Sequence, residues 1–77
     1  MEDLIEFLAR ALVDDPEAVE VDSFEEDDGT LVLELRVADD DVGKVIGRSG
    51  RTVNALRTVV RAAAVREGRR VLVDVVD

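Results

Sequence analysis

The spacing of apolar residues changes period three times along this chain, and the order of those changes confines it to a sheet backed by helices. Leu4, Leu8, Ala11 and Leu12 recur at helical spacing, widened by Ile5 and Phe7, so residues 4–13 read as a helix. Asp14-Asp15-Pro16 ends it, because the residue before a proline is pushed out of helical geometry. From Val19 the period falls to two. Val19, Val21 and Ser23 share one side of a strand over 19–24, with Glu20 and Asp22 on the other. Asp28-Gly29 is a hairpin dipeptide, and the returning strand places Leu31, Leu33, Leu35 and Val37 inward, Glu34 and Arg36 outward.

Asp39-Asp40-Asp41 offers an N-cap and a negative first turn, which a helix dipole favours. A short helix is predicted after it, with Val42, Val45 and Ile46 on one face and its end at Gly47. A longer helix is predicted from Arg51 to about Arg66, with Val53, Leu56, Val60, Ala63 and Ala64 as its core stripe and Gly68 as its C-terminal cap. Val71, Val73 and Val75 make one face of a last strand over 71–76. The order is α-β-β-α-α-β. A hairpin joined by a strand that returns after two helices gives a three-stranded mixed sheet with the helices on one face, a two-layer α+β fold. Seventy-seven residues suffice for one core, so residues 1–77 are read as a single domain without linker or repeat.

Several chemistries are excluded by composition. The chain has no cysteine and no histidine, which removes disulfides, thiolate metal sites, the commonest zinc ligand and the commonest general base. Asp39, Asp40 and Asp41 point in different directions at a helix start, so capping is their expected role and no metal or cofactor is expected. No Gly-Lys-Ser/Thr follows Gly43 or Gly47, which excludes a phosphate-binding P-loop. An enzyme is not expected. No run approaches the roughly 18 apolar residues of a membrane span, and the start Met1-Glu2-Asp3 is unlike a signal peptide, so a cytoplasmic protein off the membrane is expected.

The net charge of −9 argues against a nucleic-acid partner until its distribution is considered. Residues 1–43 carry a net charge of −14, with Arg10 and Arg36 as their only cations; residues 44–77 carry +5. Such asymmetry predicts one acidic and one basic face. The basic half holds the stretch Val42-Gly43-Lys44-Val45-Ile46-Gly47-Arg48-Ser49-Gly50-Arg51-Thr52-Val53. Two glycines three apart pinch a turn between helices, and the turn opens into a helix N-terminus, where unpaired N–H groups and the dipole favour an anion such as phosphate. Lys44, Arg48 and Arg51 surround that point, Ser49 and Thr52 add hydroxyls, and Val45, Ile46 and Val53 offer an apolar floor for bases. Core packing is the competing role for at least two of those three apolar residues. Arg57 and Arg61, one turn apart on the long helix, read either as a solvated face or as further backbone contacts. Arg69-Arg70 read as neutralising the last helix's C-terminus.

A bare Gly-x-x-Gly is a weak signal, but here it stands in a β-β-α-α-β frame, after Val45-Ile46 and among basic residues. In this combination the whole chain resembles the KH family, and its element order resembles the type II, prokaryotic arrangement. The resemblance implies that Gly47, Arg48, Ser49 and Gly50 contact the backbone of single-stranded RNA, that Lys44 and Arg51 add charge, and that about four nucleotides are clamped. It further implies a bacterial RNA chaperone or regulator, with a link to cell shape, that pairs with itself or with a larger KH-containing paralogue. Ala55, Val59 and Ala62, at i, i+4 and i+7 of the long helix, form an edge of small residues suited to that pairing. Two other readings stay open: a KH-fold interaction module without RNA, and a helix-turn-helix on duplex DNA.

Overall fold

Strand order follows from which strand is apolar on both sides. A computed structural model describes residues 1–76 of the chain. Strand β2 (Leu31–Arg36) buries Leu31, Val32, Leu33 and Leu35, and it is the central strand of a three-stranded sheet ordered β1-β2-β3. Strand β1 (Glu20–Glu25) pairs with it antiparallel, from Glu20 opposite Arg36 to Glu25 opposite Leu31. Strand β3 (Val71–Val76) pairs on the other side in parallel, from Leu31 beside Val71 to Arg36 beside Val76. A parallel neighbour needs a long crossover. Helices α2 (Val42–Ile46) and α3 (Arg51–Arg66) supply it, while α1 (Glu2–Leu12) precedes the sheet. The predicted order and the mixed three-stranded sheet are what the structure has.

The inward face of the sheet and the helices close one core. Leu33, Leu35 and Val73 of the sheet meet Ile5 and Ala9 of α1, Val45 of α2, and Leu56, Val60 and Ala64 of α3. The α1 contact differs from the predicted stripe. Ile5 and Ala9 carry it, Leu4 and Leu8 are half-buried beside it, and Phe7, Ala11 and Leu12 are exposed. Alanine at position 9 lets the helix lie close to the sheet, which narrows the buried arc to one pair a turn apart. The predicted inward side of β1 is mostly open as well. Val19 is buried just before the strand and Val21 is half-buried, but Ser23 is exposed and donates its hydroxyl hydrogen bond to Glu2.

The aspartate run does not cap α2 as predicted. Asp39–Asp41 form a turn of 3-10 helix with no side-chain cap, and Asp41 is buried. Its carboxylate makes no cap to the α2 backbone and instead accepts the backbone N–H groups of Asp14 and Asp15, at 3.2 and 3.0 Å. Those two residues follow the end of α1, so Asp41 ties that corner to the start of α2. Among the described residues, no helix is long and apolar enough to cross a membrane, and no group of acidic residues is arranged to hold a metal ion.

Candidate nucleic-acid interface

The loop between α2 and α3 is shaped by three positive backbone angles in a row of four residues. Gly47 has φ +75°, Ser49 +56° and Gly50 +75°, which turns the chain through a single 3-10 turn directly into α3. Glycine is required at position 47 for two reasons. A Cβ there would lie 2.3 Å from Thr52 Oγ1 and 2.9 Å from the Thr52 backbone nitrogen, so loop and helix touch where a side chain has no room. At Gly50 only the angle matters, because a Cβ would meet nothing closer than 3.8 Å. Gly50 is also the N-cap of α3 and brings no side chain to its first turn. The Arg51 N–H donates to the Arg48 carbonyl, so the N–H groups after it in that turn are the ones open to water or to an incoming anion.

Ion pairing sorts the cations. Arg10 pairs with Glu6, Arg36 with Glu20 and Asp22, Arg69 with Glu25, and Arg70 with Asp28. Lys44 pairs with both Asp14 and Asp41. Its ammonium is held above its ordinary pKa, first by Asp14 and then by Asp41. Among the described residues, the cations left without a carboxylate are Arg48, Arg51, Arg57, Arg61 and Arg66, all on the loop or on α3. Lys44 thus sits next to the loop in sequence while its charge is spent on the α1 corner.

Helix α3 shows three sides. Val53, Leu56, Val60 and Ala64 are buried, the last three in the core shared with the sheet. Ala55, Val59 and Ala62 form a second side and are exposed, Val59 by 46%. Asn54, Arg57, Thr58 and Arg61 form the third, which faces β3 across a furrow of about 360 Å³ closed on the far side by Leu72, Val73 and Asp74. Arg57 spans it: its Nε donates to the Val73 carbonyl at 3.1 Å and its Nη1 to Asn54 Oδ1 at 3.2 Å. A Cβ built on Gly50 would stand 3.8 Å from Asn54 Nδ2, so the loop ends beside a residue that lines the furrow.

The predicted site residues therefore separate. Gly47, Arg48, Ser49, Gly50, Arg51 and Thr52 lie together at the start of α3, and Arg57 and Arg61 lie along the furrow that continues from it. Val45 is wholly buried in the core and Val53 nearly so, which leaves Ile46, 38% exposed, as the apolar residue available beside the loop. Asn54, Thr58, Leu72 and Asp74 were not singled out by the sequence. The polar positions 54, 58 and 61 do repeat at helical spacing, but β3 joins them only by packing of the folded chain.

Residues 2–75 match the family model described as KhpA/KhpB, KH domain. The chain is 54% identical to the RNA-binding protein KhpA of Halalkalibacterium halodurans, over all of both chains. It is 52% identical to the RNA-binding protein KhpA of Streptomyces coelicolor, over all of this chain and 92% of that one. The protein of the same name from Caldanaerobacter subterraneus is 46% identical, over 99% of this chain and all of the other. Among solved structures, Era in complex with MgGDPNP and nucleotides 1506–1542 of 16S ribosomal RNA superposes with a TM-score of 0.63. That match covers 96% of this chain and 28% of Era at 20% identity, and so speaks to the fold.

Proposed function

The chain belongs to the KhpA/KhpB KH-domain family, and from that premise we propose that it is a non-catalytic, single-stranded RNA-binding protein. It grips the RNA backbone with Gly47-Arg48-Ser49-Gly50 at the start of α3. The observation that carries this reading is the sorting of the cations: the arginines free of carboxylates lie on that loop and on α3. Phosphates would take the uncapped N–H groups of the first turn of α3, with Arg48 and Arg51 neutralising charge and the Ser49 hydroxyl donating. The bases would lie past Ile46 into the furrow beside Arg57 and Arg61. There is no aromatic residue near the loop to stack on, since Phe7 and Phe24 lie elsewhere. Affinity is then modest and the footprint is short, as for KH modules in general. The relatives named RNA-binding proteins support RNA binding, and on that basis the role proposed is that of an RNA chaperone or post-transcriptional regulator in a bacterial cytoplasm.

A second reading concerns partners. The exposed side of α3 formed by Ala55, Val59 and Ala62 suits pairing with another KH domain, either a second copy or a larger paralogue. It lies on a different side of the helix from the furrow, so pairing and RNA binding are compatible.

The loop is tested by changing Arg48→Asp together with Ser49→Asp and measuring fluorescence anisotropy with labelled single-stranded RNA. Aspartate tolerates the left-handed angle at position 49 better than most residues, so the fold is kept. Loss of binding with an unchanged circular-dichroism spectrum is expected; undiminished affinity would exclude the loop as the site.

A further inference from the structure

The furrow between α3 and β3 continues beyond Arg61 and Leu72 into a second hollow of about 440 Å³, floored by Ala64, Val65 and Val71. Arg69 and Arg70 stand at its far end, where they would prolong the cationic track that starts at the loop. Both are already paired with carboxylates at the tip of the β1–β2 hairpin, where Glu25 ends β1 and Asp28 lies in the turn. Arg69 Nη2 donates to Glu25 Oε1 at 2.7 Å, and Arg70 Nη2 donates to Asp28 Oδ2 at 3.4 Å. The turn is held in shape to do this. Asp28 accepts the Thr30 N–H at 2.9 Å, Gly29 donates to the Glu26 carbonyl, and the Leu31 N–H donates to the carbonyl of Arg70 itself. The acidic turn and the two arginines are thus braced to each other through backbone as well as through charge. A carboxylate offers a guanidinium the same pair of oxygens that a phosphodiester does.

We infer that the β1–β2 turn ends the RNA track: Glu25 and Asp28 take the places of backbone phosphates at Arg69 and Arg70, so a bound strand stops at Arg61. This makes Glu25 and Asp28 determinants of footprint length, and it rests on the RNA-binding reading above. The four consecutive acids Glu25-Glu26-Asp27-Asp28 then divide by role, the outer two closing the furrow and the inner two only solvating the turn.

The test titrates uridylate oligomers of stepped length against the wild-type protein and two variants that remove the same charge. One is Glu25→Gln with Asp28→Asn, in which asparagine keeps the acceptor for the Thr30 N–H; the other is Glu26→Gln with Asp27→Asn. Wild-type affinity is expected to rise with length and then level off. The first variant is expected to keep gaining affinity for longer oligomers, and its slope of log K against log salt should steepen by about 1.4, at ~0.7 for each released arginine. The second variant should level off where the wild type does, with the wild-type slope. An unchanged length limit and slope in the first variant would overturn the inference, and so would equal changes in both, which would mean a general field rather than a closed furrow. If the wild type bound no oligomer at any length, the RNA-binding reading itself would fall, and this inference with it.

Discussion

At the scale of single residues, the two loop glycines are there for different reasons, and substitution separates them. Alanine at position 50 makes only ordinary van der Waals contact, 3.8 Å from Asn54, but must adopt a left-handed angle, a cost of about 1–2 kcal/mol. Alanine at position 47 bears the same strain and also drives its Cβ into the hydroxyl and the backbone amide of Thr52. Gly47→Ala is therefore expected to lower stability clearly more than Gly50→Ala in urea unfolding. Adding Thr52→Ala should restore part of the difference, since it removes the hydroxyl but not the amide. Equal losses for the two single variants would mean that the close approach at Gly47 is not felt. The glycine pair was legible in the sequence because a turn depends on neighbours a few residues apart. Lys44 was less so: Asp41, three residues before it, is a local partner, but Asp14 lies 30 residues away and only the fold brings it to the ammonium. Core packing was the expected main role for at least two of Val45, Ile46 and Val53, but which two was open until the sheet was in place.

At the scale of elements, α2 has only five residues, too few to hold as a helix on its own, so tertiary ties must fix it and the loop it carries. Val45 in the core is one tie and the Asp41 carboxylate is the other. Burial works to raise the Asp41 pKa, but the N–H groups of Asp14 and Asp15 and the Lys44 ammonium outweigh it and hold the group below the usual carboxylate range. A carboxylate depressed in the folded state contributes stability above its unfolded pKa, and that contribution is lost as pH falls through the folded value. Asp41→Asn should thus be markedly less stable than wild type at neutral pH, with the gap closing as pH drops below the ordinary aspartate range. Glu2 and Asp28 are also depressed, through hydrogen bonds from Ser23 and Thr30, so both proteins weaken in acid and only the difference reports Asp41. A gap that stays constant with pH would remove the ionised carboxylate from the account. The element order itself was readable, since period-2 and helical spacings alternate cleanly. The use of Asp41 was not, because three aspartates before a helix favour a local cap until the end of α1 brings unpaired N–H groups against one of them.

At the scale of the whole molecule, the net charge of −9 hides a division of labour. Among the described residues, five of the ten cations are in ion pairs and the other five stand on the loop and α3, so that surface is basic although the chain is acidic. The same helix keeps Ala55, Val59 and Ala62 in the open on its remaining side. The sequence could not decide whether those residues were an edge of the core; the structure leaves them exposed. A domain of this size buries a smaller fraction of its surface than a larger one and gains stability by pairing. Small side chains along one helix allow a second helix to approach closely, and a two-fold pair would bring the same stripe of each chain together. We expect sedimentation equilibrium to find the protein dimeric at high micromolar concentration, and Val59→Arg to be monomeric with an unchanged circular-dichroism spectrum. The arginine would bring a charge to the centre of that stripe on both chains at once, where like charges repel and neither has a partner. RNA binding per chain should survive the change, because Val59 lies off the side that carries Asn54, Arg57 and Arg61. A monomeric wild type at that concentration would rule out self-pairing and leave a larger KH-containing paralogue as the partner for this side of α3.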